Sequence, residues 1–377
     1  MKLVFTGDLF VSDSKVPELS IELKSIFECA EIVCVNLEAP ICDGGILPAL
    51  KMGPAIAQNF SVIDFLASCG TSHVNLANNH MMDFGEKGLE QTISNLNGVI
   101  CFGAGNTFDK AYECKYIDIS GKRIALLAFA EAQFGVLAEE NSDTAGFAWF
   151  DHPQARAVVA RSKQKADYVI VQVHAGLEMV DVPLPELRAR YREFIEIGAD
   201  LVIGHHPHVI QGLERHMGKD IYYSLGNFYM DMFFDQDKSG SGAVLEVLIE
   251  DGTISSRLIP LNVSRGFVDV DHSGEQLENF RHLSDILLDR TAYIARIDLV
   301  CDDFFRDIYS GYYEIALTGL GLDPHPLAFK RVLRRLVALV LGRKRARGQG
   351  ELLLLHNIKI ETHRWVVERA LKNRISD

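Results

Sequence analysis

The chain has 377 residues, of which 48% are hydrophobic, and a formal net charge of −13. This length allows one large α/β domain with an extension, or two domains, and the apolar content favours a packed core over disorder. The negative charge argues against general nucleic-acid affinity, and the sequence has no basic motif interleaved with aromatic residues.

The seven cysteines are scattered along the chain, odd in number and without a CxxC pair. This usage is typical of a reducing compartment. The N-terminal residues show no signal-peptide pattern, and no apolar run is long enough to span a bilayer. We therefore expect a cytoplasmic protein.

Apolar runs typical of buried strands alternate with helical patterns as far as residue 250. Strands are predicted at residues 3–6, 32–35, 71–76, 123–129, 168–173, 201–203 and 221–224, with an edge strand at 242–249. Helices are predicted at residues 20–30, 60–69, 85–96, 153–165 and 187–197. This alternation favours a layered α/β domain.

Polar side chains follow most of these predicted strands at the point where each strand ends. They are Asp8, Glu38, Asn79 with His80, His174, His206 with His208, and Asn227. A cap or turn role would explain any one of them, but it hardly explains the series. The carboxyl ends of strands are the usual position of an active site in α/β folds, so the series predicts one shared site.

The most informative stretch is LVIGHHPHVIQ, residues 201–211. Pro207 excludes a helix and favours an extended conformation for His206. In an extended backbone, residues two apart point to the same side, so His206 and His208 can converge on one point. Imidazole is a common ligand of transition metals, and the stretch therefore predicts a metal site.

The candidate ligands form a mixed oxygen and nitrogen set without thiolate: Asp8, Glu38, Asn79, His174, His206 and His208. That mixture suits Mn²⁺, Fe²⁺ or Zn²⁺. Six ligands exceed what one catalytic ion needs, so we expect two divalent ions about 3.5–4 Å apart that share a carboxylate. His80 then has no metal role and fits a general acid for the leaving group.

From residue 269 the pattern is helical to the C-terminus. A basic amphipathic segment runs from Lys330 to Arg347, and no acidic residue lies between Pro324 and Gly350. One interpretation is an ordinary helix with solvated cations. The other is an element that binds a membrane surface or an anionic partner.

Six ordered motifs resemble the CapA family, the poly-γ-glutamate capsule biosynthesis branch of the calcineurin-like metallophosphoesterases. They are GD at 7–8, NLE at 36–38, ANNHxxDxG at 77–85, HxG at 174–176, GHHPHVxQ at 204–211 and YSLGNF at 223–228. The resemblance covers about residues 1–250. It implies a four-layer α-β-β-α sandwich, which we assign to a domain of residues 1–268, followed by a helical extension of residues 269–377.

The resemblance also implies roles for the candidate residues. Glu38 would bridge two metals, Asp8 and His208 would hold one, and Asn79, His174 and His206 would hold the other. His80 would be the acid, with Asp8 and Glu38 counted in the catalytic centre. Asn227 would support a ligand or contact substrate, and we also assign Asn36, Asn78 and His205 to substrate binding.

One departure concerns Phe10, which stands where the wider superfamily has the histidine of an Asp-x-His motif. We therefore expect the first metal site to be weak. The preferred function is a metal-dependent hydrolase of a phosphoester or related linkage in capsule or cell-envelope metabolism. Its substrate would be a phosphorylated small molecule or an anionic polymer.

Two alternatives remain at this point. The first is a non-hydrolytic component of polymer synthesis or export on the inner face of the membrane. The second is a metal-independent peptide epimerase or isomerase on the same fold.

Overall fold

A computed structural model describes residues 1–140, 143–233, 240–250, 252–313 and 349–376. The predicted basic segment from Lys330 to Arg347 lies outside these residues. The described strands are β1 (Lys2–Phe10), β2 (Glu18–Leu19), β3 (Ile32–Leu37), β4 (His73–Asn75), β5 (Ile100–Phe102), β6 (Ala104–Gly105), β7 (Lys115–Ile119), β8 (Lys122–Ala130), β9 (Val136–Leu137), β10 (Gly146–Ala148), β11 (Tyr168–His174), β12 (Leu201–His205), β13 (Leu213–His216), β14 (Lys219–Tyr222), β15 (Asn227–Met230), β16 (Gly240–Glu250), β17 (Thr253–Ser264) and β18 (Phe267–Val270). The described helices are α1 (Ile21–Glu28), α2 (Val62–Ser68), α3 (Gly85–Asn95), α4 (Phe108–Ala111), α5 (Pro153–Lys163), α6 (Pro185–Glu196), α7 (Glu275–Leu288), α8 (Arg290–Phe304), α9 (Gln349–Lys359) and α10 (Glu361–Ser376).

The larger sheet has nine strands in the order β2-β18-β17-β16-β1-β3-β4-β5, with β15 also paired to β1. Strands β3 and β15 run parallel to β1, and β16 runs antiparallel to it. The prediction that residues 242–249 form an edge strand is wrong. Strand β17 pairs along the whole of β16, so β16 has a neighbour on both sides.

The second large sheet has six strands in the order β13-β14-β12-β11-β8-β7. Its central strands β8, β11, β12 and β14 are parallel to their neighbours among these four. Parallel strands covered on both faces are near-continuous apolar runs, as in β11 and β12, where every residue is buried. A small three-stranded sheet, β6-β10-β9, completes the described strands.

The two large sheets share one hydrophobic core. Phe5 and Val35 of the first sheet and Ile170 and Ile203 of the second belong to the same buried cluster. On the outer faces, the rings of Phe27 in α1 and Phe65 in α2 contact Phe228 of the first sheet. Phe194 of α6 stacks on Phe129 of the second sheet with ring centroids 5.6 Å apart. The predicted α-β-β-α sandwich is confirmed.

The chain divides into two compact units. One contains Met1–Ala49 and Pro54–Tyr293, and the other contains Leu50–Gly53 and Ile294–Asp377. Helices α8, α9 and α10 follow the sheet-forming part of the chain, as the helical pattern predicts. The assignment of residues 1–268 and 269–377 to separate domains stays a prediction. In the part of the chain that the structure describes, every helix is too short or too polar to cross a membrane.

Candidate metal centre

Strand pairing brings the predicted site residues to one edge of the two sheets. Asp8 of β1 lies opposite Asn36 of β3 and opposite Asn227 of β15. In the second sheet, His174 at the end of β11 lies opposite His205 at the end of β12. The chain therefore leaves several parallel strands at the same edge, where α/β folds place their ligands.

All six predicted metal ligands are buried at this edge. Five of them, all except Asn79, form two overlapping groups, and the ligand atoms within each group lie within 4.8 Å of one another. The first group is Asp8, Glu38 and His208, and the second is Glu38, His174 and His206. Glu38 belongs to both groups, which is the arrangement expected of a shared carboxylate.

The second group centres on His174. Its Nε2 lies 2.9 Å from Oδ1 of Asn79, 3.1 Å from Nδ1 of His206 and 3.7 Å from Oε1 of Glu38. Two imidazole nitrogens, an amide oxygen and a carboxylate oxygen therefore meet at one point. These are the donor types that first-row divalent ions accept.

The first group centres on His208. Its Nε2 lies 3.6 Å from Oε1 of Glu38, whereas its Nδ1 lies 3.3 Å from Oδ2 of Asp8 and 2.9 Å from Oδ1 of Asn227. A histidine ligand commonly uses its other ring nitrogen to bond an oxygen that fixes the ring. The Asn227 contact fits that supporting role.

Glu38 provides the test of whether a cation fits this centre. Its carboxylate is 1% exposed, and neither oxygen has a hydrogen-bond partner among the described residues. Leaving a buried polar group without a partner costs about 1–3 kcal/mol, and more when the group is charged. A divalent cation between Glu38 and the surrounding imidazoles would supply the missing partner, so the residues present fit the metal.

The pKa shifts of the carboxylates differ across the centre. Burial raises the pKa of Glu38 well above its usual range, against the opposing charge of His208. Burial also works against ionisation of Asp8, but contacts with His205 and His208 outweigh it and hold the pKa of Asp8 well below its usual range. The metal-free centre therefore holds an ionised Asp8 beside a Glu38 that resists ionisation.

The pKa values of the three histidine ligands also shift in different directions. Burial lowers the pKa of His174 well below its usual value and that of His206 to about 4, so both are neutral and in the ligand form at pH 7. Burial also opposes protonation of His208, but the nearby Glu38 and Asp8 carboxylates outweigh it and raise its pKa to about 10. A cation bound at His208 must therefore displace a proton.

The backbone corrects one expectation. His206 was predicted to be extended, but its φ is 95° and that of His208 is 58°. The rings still converge, with centroids 5.9 Å apart. Ala39, directly after Glu38, has a φ of 93°. Such conformations cost about 1–3 kcal/mol each and persist where the surrounding structure imposes them, often at functional sites.

Asn36 and His205, which we assigned to substrate binding, lie buried against Asp8. Asn36 donates from Nδ2 to Oδ1 of Asp8 at 2.6 Å, and Asn75 donates to Asn36 in turn at 2.8 Å. His205 has its Nδ1 3.4 Å from Asp8 and its Nε2 3.2 Å from Oε1 of Gln172. These contacts favour a role in positioning the Asp8 carboxylate, and substrate binding by either residue stays a prediction.

Asn78 supports the loop that carries Asn79 and His80. Its Nδ2 donates to the carbonyl of Leu37 at 2.8 Å, and its Oδ1 accepts from the amide of His80 at 3.1 Å. Asn78 thus ties the end of β3, which leads to Glu38, to the loop after β4. Substrate binding by Asn78 and Asn227 also stays a prediction.

His80, the predicted acid, has a carboxylate partner from the same motif. Its Nδ1 lies 2.7 Å from Oδ2 of Asp83, which is fully buried. The same Asp83 oxygen accepts the amide of Ile56 at 2.9 Å. The spacing of three residues between an acid and a histidine in ANNHxxDxG was the available signal.

Two further carboxylates near the centre were missed. Glu131 is buried directly after β8, with Oε1 3.8 Å from Nε2 of His206, and it repeats the pattern of an acid following a strand. Glu178 is exposed, and one of its oxygens forms a third candidate group with His206 and His208. No periodic pattern in the sequence indicates that Glu178 belongs to the site. The available signal is its position four residues after His174.

Phe10 is buried in a small apolar cluster with Ala39 and Met230, and Ile56 packs against that cluster. Phe10 stands at the sequence position where the resemblance would place a metal-binding histidine. Among the described residues, the first group therefore has three ligands, whereas the second has four when Asn79 is included.

Comparison with known proteins identifies relatives of this chain and the family to which it belongs. Capsule biosynthesis protein CapA of Bacillus anthracis is 33% identical over 203 residues, which cover 52% of this chain and 49% of that protein. PGA biosynthesis protein CapA of Bacillus subtilis (strain 168) is 29% identical over 245 residues, which cover 64% of each chain. The chain thus spans about half to two thirds of the length of these relatives.

Among solved structures, a putative 5'-nucleotidase from Staphylococcus aureus is similar over 77% of this chain and 58% of its own, with 15% identity and a TM-score of 0.45. The family model described as "Bacterial capsule synthesis protein PGA_cap" matches residues 2–232, the region that carries every ligand of the candidate centre. The predicted resemblance is confirmed, and the chain belongs to this family of bacterial capsule synthesis proteins.

Proposed function

We propose that the chain is a binuclear-metal hydrolase that cleaves a phosphoester or related linkage in capsule or cell-envelope polymer metabolism. The observation that carries the proposal is Glu38. A buried carboxylate without a hydrogen-bond partner among the described residues, between His174 and His208 at 3.7 and 3.6 Å, is unfavourable unless a cation completes it.

The chain's residues would divide between two ions. Asp8, Glu38 and His208 would hold one, and Glu38, Asn79, His174 and His206 would hold the other. Such a pair lowers the pKa of water and stabilises charge on the attacking and leaving oxygens of an in-line displacement. The protein supplies fixed ligand positions, supported by Asn36 behind Asp8 and Asn227 beside His208.

His80 is the proposed general acid. It directly follows the ligand Asn79, and the Asp83 carboxylate holds its ring through Nδ1. That contact orients the ring so that Nε2 can deliver a proton to a leaving oxygen. Because Asp83 also accepts the amide of Ile56, the orientation of the acid depends on the segment that contains Ile56.

The substrate class rests on the family. The curated relatives are named for capsule and PGA biosynthesis, and an anionic polymer or a phosphorylated precursor fits that context. Two cations in a buried, carboxylate-rich centre would offset the negative charge that such a substrate brings.

The test is elemental analysis of purified protein together with hydrolysis of a generic aryl phosphate ester with and without added Mn²⁺. We expect close to two metals per chain and turnover that a chelator removes and metal restores. His80→Ala should keep the metals and lose turnover. Protein that binds no transition metal would refute the proposal.

A second candidate is a non-hydrolytic component of polymer synthesis or export, which the names of the relatives and the three-ligand first group favour. Metal-loaded protein that binds polyglutamate without shortening it, and shows no ester hydrolysis, would support this candidate. Membrane association through Lys330 to Arg347 belongs to it and is tested with anionic liposomes at low salt. Full activity in chelator-treated protein would instead support the metal-independent isomerase.

A further inference from the structure

The two halves of the candidate centre are unequally supplied with ligands. The second half, which is the ligand group around His174, has four donors from the described residues. The first half, which is the group around His208, has three. Divalent first-row ions take four to six ligands, so the first half relies more on solvent or on an additional side chain.

Glu178 is the described carboxylate that lies on the exposed side of this half. One of its oxygens lies within 4.8 Å of a ring nitrogen of both His206 and His208. Its two histidine neighbours are buried, whereas Glu178 is exposed. The carboxylate therefore sits at the opening of the centre, next to one ligand from each half.

The loop that carries Glu178 is held against the histidine segment. The amide of Met179 donates to the carbonyl of Pro207 at 2.8 Å, and Pro207 stands between the two histidines. Gly176 has a φ of 143°, and a Cβ there would lie 3.0 Å from Cγ of Pro207. Met179 has a φ of 60°. A side chain at residue 176 would push this loop away from Pro207, so glycine allows the close approach.

We propose that Glu178 is a metal ligand that completes the first half of the centre, together with Asp8, Glu38 and His208. The inference rests on the proposed function, because it assumes that the centre holds metal. Glu178 lies outside the ligand set that the motifs predict. A carboxylate there raises the number of oxygen donors and favours a hard ion such as Mn²⁺ at this half.

An alternative role for Glu178 is to bind a cationic group of the substrate at the opening of the centre. The two roles differ in a way that needs no substrate. Removing a metal ligand changes the affinity for the metal when no substrate is present. Removing a substrate-binding carboxylate leaves that affinity unchanged and alters the KM for the substrate.

The experiment titrates metal-free, full-length protein with Mn²⁺ and follows the electron paramagnetic resonance signal of the free ion. A parallel Zn²⁺ titration uses a chromophoric chelator. The variant is Glu178→Gln, which keeps the shape of the side chain and removes its charge. The matched control is Glu90→Gln, which removes an exposed carboxylate from α3.

We expect wild type and the control to bind two ions each, and each ion should bind with the same affinity in the control as in wild type. Glu178→Gln should keep one ion and bind the other about 10- to 100-fold more weakly, the range typical of lost support at a metal site. Two ions with unchanged affinity, or weakening of both ions alike, would overturn the inference. Wild type that binds neither metal would instead refute the proposed function.

Because Glu178 is exposed, the metal-free variant should unfold at the same temperature as metal-free wild type, which circular dichroism measures. Should Glu178→Gln unfold early, Glu178→Asp provides the second variant. It keeps the charge but withdraws the carboxylate by one methylene, and it should weaken the same ion by a smaller factor. Unchanged affinity in Glu178→Asp as well as in Glu178→Gln would count against the inference.

Discussion

Oε1 of Glu38 lies 3.6 Å from Nε2 of His208, and no hydrogen bond from the described residues reaches either oxygen of that carboxylate. A gap of this size is too long for a hydrogen bond and suits two neighbouring ligands of one divalent cation. In the metal-free protein the pKa values of both groups are raised. Burial raises the pKa of Glu38, and the nearby carboxylates raise the pKa of His208 in spite of its burial.

Glu38→Gln should abolish binding of both ions, because Glu38 belongs to both ligand groups. We expect less than half an ion per chain by elemental analysis and at least a 100-fold loss of any metal-dependent hydrolysis. The metal-free variant should be as stable as metal-free wild type or more stable, because Glu38 already resists ionisation and its oxygens have no hydrogen bond from the described residues to lose. Glu28→Gln, at an exposed position of α1, is the control. Two tightly bound ions in Glu38→Gln would contradict the shared-ligand assignment.

Metal binding at neutral pH should release at least one proton, because the pKa of His208 in the metal-free protein is raised to about 10 and that of Glu38 is also raised. Protons and metal compete for this nitrogen, so affinity should rise with pH up to about 10. Isothermal titration calorimetry in two buffers of different ionisation enthalpy measures the number released. His208→Gln should release fewer protons and bind the first-half ion more weakly. Affinity that falls as pH rises from 6 to 9 would be inconsistent with this assignment.

The stability of the metal-free protein should depend on pH through the same histidine. The folded pKa of His208 is raised above its ordinary value of 6.5, so the stabilisation is fully present below pH 6.5 and is lost as pH rises toward 10. Wild type should therefore lose more stability than His208→Gln between pH 7 and 10, as thermal unfolding with chelator present would measure. Parallel pH dependences of the two proteins over that range would argue against the raised pKa.

Asp8 predicts the opposite trend at acid pH. Its folded pKa is held well below the ordinary value of 3.8, so its contribution is present above that value and lost as pH falls below it. Asp8→Asn should therefore flatten the acid limb of the metal-free unfolding curve. An acid limb as steep in Asp8→Asn as in wild type would show that other carboxylates dominate acid unfolding.

His80→Asn should lower kcat by about 10²–10⁴-fold for a substrate with a poor leaving group, the range typical of a general acid. The loss should be smaller for an activated aryl ester, whose leaving group needs no proton. Asp83→Asn should lower kcat less and alter the pH profile, since it changes the partner of His80 Nδ1. Metal content in both variants should match wild type, because neither residue is in a ligand group. Equal losses for both leaving groups would exclude the acid role.

The sequence by itself determined the alternation of strands and helices, the strand ends and the ordered motifs, because apolar runs and the residues that stop them are local properties. It also predicted six residues that the fold brings together, since parallel strands deliver their carboxyl ends to one edge. It failed where the answer depended on neighbours distant in the chain. Strand β16 is internal because β17 pairs with it, and a pattern of alternating residues does not reveal a second partner.

Only the tertiary structure decided how the ligands divide and what supports them. The positive φ angles of His206 and His208 are imposed by packing and could not follow from the local preference of a residue before proline. The contacts with His205 and His208 that hold the pKa of Asp8 low, while burial raises that of Glu38, join the first sheet to the segment that ends β12. Glu178 reaches the centre because a loop bonds to Pro207, a contact between residues 28 positions apart in sequence, and pairings of that kind are set by the fold rather than by local sequence.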